Sequence, residues 1–418
     1  MIPFKHIYAK FFHFSTYHSV MCIMYLVQAF WFVKAWRLTD GIRLPFFRKL
    51  LRFLLAPAGL VLIAAGIDPL ELSLFQHQGP VDWVLTAARV WLFASCVGFC
   101  LVAAVRAAGW FAVKAAAAFR GGKKAGETEP RRAFLRHLAS AAGSVPFIVL
   151  AYGFATRLSY QVRRTEIPVA NLPEKLDGLK IVQISDIHCG DFMHPAEVRR
   201  AVEKANRLNA DLAVVTGDFI SWKNDPLEDC IRELSRLSAP LGVWGCNGNH
   251  EGYAGVERRA QELFHRHGMR LLRRQRAEIE CRGEKINMIG VDYQMNRGSS
   301  NWKMQMLHGV GPLVRRDMPN ILLSHNPNTF YRAAVLGIEL SLAGHTHGGQ
   351  IRLEIDGKDL SPAFFYTEFV AGTYRLPFSG DGAGAATLYV NRGLGTIWIP
   401  ARIEVPPEIT LLTLRRPI

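Results

Sequence analysis

The chain of 418 residues is too long for one ordinary domain, half of it is hydrophobic, and its formal net charge is +15. That charge alone would suit a nucleic-acid partner, but residues 1 to 137 hold 17 Lys/Arg against 6 Asp/Glu, a net of +11, which leaves +4 for residues 138 to 418. The basic residues therefore lie between apolar runs, where they set membrane topology rather than grip phosphates, and a nucleic-acid partner is disfavoured. The seven cysteines have no CxxC spacing and give no disulfide framework, so they are no guide to compartment.

In chain order, the first element is a membrane region. A spanning helix needs roughly 20 mostly apolar residues, because the hydrocarbon core is about 30 Å thick. Four stretches meet or approach this, at about 14 to 33, 53 to 67, 90 to 105 and 138 to 155. The alternative for each is a buried helix of a soluble bundle, which is weaker for the first and third. Between the first two lie Lys34, Arg37, Arg43, Arg48, Lys49 and Arg52, whereas Asp68 to Ala88 holds no Lys or Arg. Between the third and fourth come Arg106, Lys114, Arg120, Lys123, Lys124, Arg131, Arg132 and Arg136. By the positive-inside rule both basic loops are cytoplasmic, and all that follows the fourth span is extracytoplasmic. The pair Arg131-Arg132 before that span also resembles an internal twin-arginine export signal, although an arginine pair here is more often a plain topology anchor.

The expected organisation is a membrane anchor over residues 1–156, a linker over 157–178 and a catalytic domain over 179–418. From Leu179 onward short apolar runs alternate with helical patterns, which indicates a layered α/β domain. Strands are expected at 179–185, 211–216, 241–246 and 321–323, then in the run beginning Leu340-Ser341-Leu342-Ala343. Helices are expected at 195–208, 226–237, 255–267 and 328–336. Residues 277–279 and 285–291 have antiparallel character, and 364–412 read as strands and turns.

Each of the five strands runs into a polar cluster. They are Asp186-Ile187-His188, Gly217-Asp218, Gly248-Asn249-His250-Glu251, Ser324-His325 and Gly344-His345-Thr346-His347. Carboxyl ends of strands in α/β sheets gather round one crevice, where ligands bind. Any one member has a bland explanation: Asp218 suits a turn after Gly217, and a histidine pair on a loop is usually solvated. Five strand ends delivering Asp, Asn and His together favour a metal centre, with room for two ions and a shared carboxylate. His194, His265, His267 and His308 lack such placement and read as solvated or packed.

These motifs, in this order, resemble the calcineurin-like metallophosphoesterase superfamily over about residues 165 to 415. With the membrane-attached amino terminus, Ser185-Asp186-Ile187-His188, Gly344 to Gln350 and Arg392-Gly393-Leu394-Gly395 are most similar to its YkuE/YaeI-like phosphodiesterase branch. The resemblance implies a four-layer α/β/β/α sandwich preceded by an α-helical transmembrane region. It also implies Asp186, His188 and His347 on one metal, Asn249, His325 and His345 on the other, and Asp218 bridging them. Such an oxygen and nitrogen donor set suits two divalent ions of Mn, Fe or Zn. His250 is expected to protonate the leaving oxygen or steady transition-state charge, against the alternative of a structural turn histidine. Glu251 is expected to support the ligands or lie on the surface, and Asp292 to have no ligand role. Many relatives carry a second Asp three positions after the bridging one, where this chain has Ser221.

The expected function is hydrolysis of a phosphodiester or pyrophosphate, in a lipid-linked or cell-envelope substrate, by an enzyme integral to the cytoplasmic membrane. Trp302 and Phe364-Phe365-Tyr366 are candidates to lie near such a substrate, though core or surface packing explains them equally well. The alternatives are a UDP-2,3-diacylglucosamine pyrophosphatase of lipid A synthesis, whose substrate is cytoplasmic, and a non-catalytic metal-stabilised membrane sensor or scaffold.

Overall fold

A computed structural model describes residues 22–66, 80–119, 129–294, 302–355, 358–378 and 384–417. The chain divides between Tyr152 and Gly153 into two compact units. The first contains helices α1 at 22–38, α2 Pro45–Gly66, α3 Pro80–Phe119 and most of α4, Glu129–Thr156. Two of them, over Trp83–Ala116 and Glu129–Thr156, are long and apolar enough to cross a membrane. Trp83, Trp91, Phe111, Ile148 and Tyr152 point outward from these helices, a surface that suits hydrocarbon better than water.

The first expected span is helical over 22–33, and its remainder lies outside the described residues. The second coincides with α2 as far as Gly66. Helix α3 has 40 residues, about 60 Å at 1.5 Å per residue, roughly twice the hydrocarbon thickness. Arg106 and Lys114, read from sequence as part of a basic loop, are therefore helical, because an alanine-rich segment keeps its helix beyond an apolar layer. Within this unit Trp31 Nε1 donates to the Ser95 carbonyl at 3.2 Å and Gln28 Nε2 to Ser95 Oγ at 2.8 Å, satisfying polar groups between apolar helices.

The second unit contains two six-stranded sheets. The first has the order β1 (Gln161–Pro168), β14 (Glu408–Arg415), β2 (Lys180–Ile184), β3 (Leu212–Thr216), β4 (Val243–Cys246) and β5 (Arg270–Leu271). The second has the order β12 (Gly372–Pro377), β13 (Ala385–Val390), β9 (Leu340–Ala343), β8 (Asn320–Leu323), β7 (Glu284–Gly290) and β6 (Gln275–Cys281). Strands β2 to β5 run parallel, as do β7, β8, β9 and β13. The hairpin of β6 and β7 is antiparallel, as its period predicts. A two-stranded ribbon, β10 (Leu353–Ile355) with β11 (Lys358–Leu360), follows the histidine pair.

Alternation within the strands builds three apolar layers. Ile181, Val214, Trp244, Ile321, Leu340, Tyr389 and Leu412 fill the space between the sheets. Val182, Val215, Phe219 and Ile409 turn outward onto helices α5 (Pro195–Asn206), α6 (Leu227–Leu234), α7 (Asn249–Ala254) and α8 (Glu257–Arg266). On the far side Ile289, Leu322 and Leu388 meet helix α10 (Phe330–Leu336); the short helix α9 is Trp302–Gln305. This is the four-layer α/β/β/α sandwich, since a strand buried on both faces needs apolar residues at every position. The segment 157–178, read from sequence as a linker, contributes β1: its eight residues pair in parallel with β14 from Gln161 to Pro168. Its mixed sequence QVRRTEIP hid the strand, because most of its side chains face away from the core.

Candidate metal centre

The sheets bring the carboxyl ends of β2, β3, β4, β8 and β9 together at one end of the sandwich. Gln183, between the sheets, donates through Nε2 to Thr216 Oγ1 at 3.0 Å and to the Ala343 carbonyl at 2.9 Å, fixing the spacing of β2, β3 and β9. Two groups of ligand-bearing side chains result. In the first, Asp186, His188 and His347 turn their donor atoms toward one point; in the second, Asp218, His325 and His345 do so. A third combination, His188, Asp218 and His250, overlaps both. The two groups abut: His188 Nε2 lies 3.1 Å from His347 Nε2 and 3.6 Å from Asp218 Oδ2, while His325 Nε2 lies 3.0 Å from Asp218 Oδ2 and 3.9 Å from Asp186 Oδ1.

The backbone is bent to achieve this. Asp186, His188, Asp218, His345 and His347 all have φ between 49° and 76°, a left-handed conformation that costs a non-glycine residue of order 1 kcal/mol or more. Glycines permit the close approach. A Cβ on Gly344 would lie 2.2 Å from Asp186 Oδ2, and Gly393, with φ of 72°, passes so near that its Cβ would meet Asp186 Cβ at 2.5 Å.

Electrostatics favour a cation here. Burial, then the charge of His250, holds His188 at about 3; burial, then His325, holds His345 at about 3; and burial keeps His347 well below the usual imidazole value. Three neutral imidazoles thus offer lone pairs. Burial works against ionised Asp218, but the facing His325 and His250 outweigh it and hold that carboxyl well below its usual range. Asp186 is lifted to about 6 by burial, with the Asp218 charge adding to it. For His325 burial opposes the charge, yet Asp218 and Asp186 raise it to about 10, so without a metal a proton occupies the space between His325 and the carboxylates.

The donor set fits a metal pair on a second count. Buried Asn249 Oδ1, His345 Nδ1 and His347 Nδ1 have no hydrogen-bond partner in the structure, an arrangement that is costly unless a cation or water completes it. The neighbouring His188 and His347, whose Nε2 atoms lie 3.1 Å apart, are both held neutral by burial and so can turn lone pairs to one cation.

His250 stands beside the centre with its Nδ1 held 2.7 Å from the Ser221 carbonyl, its ring edge-to-face with His188 at 4.8 Å between centroids. A carbonyl only accepts, so Nδ1 carries the hydrogen and Nε2 is the nitrogen left for a ligand. Glu251 is fully buried and not on the surface. Its carboxylate accepts from the N–H groups of Gly248 at 2.7 Å, Phe219 at 2.8 Å and Asp218 at 2.9 Å, tying the β3 and β4 loops together. Burial, then the Asp218 charge, raises it to about 7. Asp292 accepts from Asn247 and Arg273 and belongs to none of the ligand groups. His194, His265, His267 and His308 are exposed.

Two contributors escaped the sequence. Tyr293 Oη lies 3.3 Å from His345 Nε2; it follows β7, and a strand-end position was its available signal. Arg402 is buried, and its guanidinium donates to the carbonyls of Arg392, Gly393, Gly395 and Val405 at 2.5 to 3.2 Å, and to His347 at 3.5 Å. Burial lowers it to about 10. A lone charge in the apolar run from Ile397 to Ile403 marked it.

Fold and site together define a metal-dependent phosphoester hydrolase. A family model described as calcineurin-like phosphoesterase matches residues 179–349. The uncharacterized metallophosphoesterase YkuE of Bacillus subtilis is 32% identical over 297 residues, covering 68% of this chain and 97% of that protein. A transmembrane protein with metallophosphoesterase domain from Danio rerio is 32% identical over 264 residues, covering 60% of this chain and 56% of that protein. The UDP-2,3-diacylglucosamine pyrophosphatase LpxG of Chlamydia trachomatis is 28% identical over 317 residues, covering 63% and 93%. The chain belongs to the calcineurin-like phosphoesterase family.

Proposed function

We propose that this protein is a membrane-anchored phosphoesterase that uses two divalent ions to hydrolyse a phosphodiester or pyrophosphate bond in a lipid-linked or cell-envelope substrate. The observation that carries the reading is the pair of abutting ligand groups with Asp218 between them. Asp186, His188 and His347 would hold one ion, and Asn249, His325 and His345 the other. Two such ions, when bound, clamp the phosphoryl group and make water nucleophilic at neutral pH. The chain's own part is to orient the imidazoles, keep their lone pairs free by burial, and present His250 Nε2 to the leaving oxygen as proton donor.

The anchor would be in the cytoplasmic membrane, with the catalytic unit extracytoplasmic. The apolar helices support the attachment, and the basic residues flanking them support this orientation. A reporter active only outside the cytoplasm, fused after Thr156, should be active; a silent reporter would reverse the orientation. Similarity to LpxG supports a second reading, a pyrophosphatase of the UDP-2,3-diacylglucosamine type. A silent reporter together with cleavage of that nucleotide lipid would select it.

The test of the activity is hydrolysis of a generic phosphodiester with added Mn²⁺. His250→Ala should lower kcat by roughly 10²- to 10⁴-fold while metal content stays at the wild-type level. Equal rates would remove the enzymatic role of His250, and no hydrolysis by any form would favour the non-catalytic scaffold.

Metal uptake should depend on pH in a defined direction, because ions compete with protons for the ligands. One proton leaves His325, at about 10, and one leaves Asp186, at about 6. Affinity for the ion pair should therefore rise with pH, by about one decade per pH unit between about 6 and 10 and by about two decades per unit below 6. Competition with a chromophoric chelator across this range measures the slope; an affinity independent of pH would exclude these ligands.

A further inference from the structure

Ser221 touches both halves of the machinery. Its Oγ lies 2.9 Å from His188 Nδ1, and its carbonyl oxygen accepts from His250 Nδ1 at 2.7 Å. Its own position is fixed in turn, because its N–H and that of Trp222 each donate to Asp225 Oδ2 at 2.8 Å. One clamped residue thus meets the inner nitrogens of two rings that are in edge-to-face contact.

The consequence for each ring differs. Against a carbonyl, His250 keeps a hydrogen on Nδ1, so the proton it hands over is the one on Nε2. Against a hydroxyl, His188 Nδ1 can donate, which leaves Nε2 as the lone pair aimed at His347 and Asp218. The outer partner of a ligating imidazole sets its tautomer, its orientation and its basicity, and a neutral hydroxyl draws less on the Nδ1 proton than a carboxylate would. His188 is then a weaker donor than a carboxylate-backed imidazole would be, and it holds its ion less tightly than such a ligand would.

We infer that Ser221 is a positioning residue that sets the tautomers of His188 and His250 together, tying occupancy of the Asp186–His188–His347 position to the orientation of the proton donor. This rests on the metal-centre reading above, and a direct binding measurement keeps the two separable. Mn²⁺ is titrated into the full-length wild type and the variants Ser221→Ala, Ser221→Thr and Ser221→Asp, with electron paramagnetic resonance distinguishing a coupled ion pair from an isolated ion.

In Ser221→Ala the His250 link survives, because it is made by the backbone, while the His188 link is lost. One of the two ions should weaken by about 10- to 100-fold, so that a single-ion signal appears before the coupled one. Ser221→Thr, which restores the hydroxyl, should return the coupled signal. Ser221→Asp should hold the second ion more tightly against a chelator than wild type does. Ser221→Ala binding both ions with wild-type affinity, or all three variants behaving alike, would overturn the assignment to Ser221 and leave the metal centre standing. A wild type that binds no Mn²⁺ pair would overturn both.

Discussion

Asp218→Asn is expected to lower hydrolysis of a phosphodiester by roughly a thousandfold or more, about 4 kcal/mol of transition-state stabilisation. The carboxylate is 2% exposed, lies 3.0 Å from His325 Nε2 and 3.6 Å from His188 Nε2, and accepts from the His250 N–H at 3.0 Å. It thus meets a member of each ligand group and the backbone of His250. An amide keeps the shape and removes the charge, so the coupled ion pair should be lost while the fold remains. Measuring metal content and rate on the same sample checks this; a variant with two ions and wild-type turnover would show that Asp218 is not shared.

Arg402→Met should be the most damaging single change to the stability of the second unit. Among the described residues the guanidinium has no carboxylate partner within ion-pair distance, and it instead caps backbone carbonyls of the loop 392–395, of Val405 and of His347. Each buried carbonyl left unsatisfied costs about 1–3 kcal/mol, so a loss of about 3 kcal/mol or more is expected. That corresponds to a fall in melting temperature of roughly 6–12 °C. Arg402→Lys should rescue little of it, because an ammonium is a point donor that cannot span the set. Thermal unfolding of the full chain in detergent measures the effect; unchanged melting would mean that water replaces the guanidinium.

The core strands and the ligand-bearing loops were legible because their signals are strong and local. Short, β-branched apolar runs such as Leu212–Thr216 suit buried strands, and a polar cluster directly after each of them marks a strand end. The supporting residues were harder to read, since their roles depend on contacts far away in sequence. Glu251 read as a support for the ligands or a surface residue, and only the approach of the β3 loop reveals it as the acceptor for Asp218 and Phe219 N–H groups. Arg402 binds the carbonyl of a histidine 55 positions earlier. Strand β1 carries too few inward side chains to announce itself, and α3 outran its apolar stretch because alanine sustains a helix in any solvent.

The pairing of β1 with β14 bears on how the catalytic unit can exist apart from its anchor. Strand β14 is interior only while Gln161–Pro168 cover it, through a register that runs from Glu408 to Arg415 and is closed by Arg415 on Glu166 at 2.7 Å. Proteolysis between β1 and β2 would strip that cover and leave an eight-residue edge rich in Ile409, Leu411, Leu412 and Leu414, a template for joining the same edge of another copy. A cut before Gln161 would instead release a unit with β14 still covered by β1. The border between soluble enzyme and aggregate therefore lies within the few residues that follow the last apolar helix.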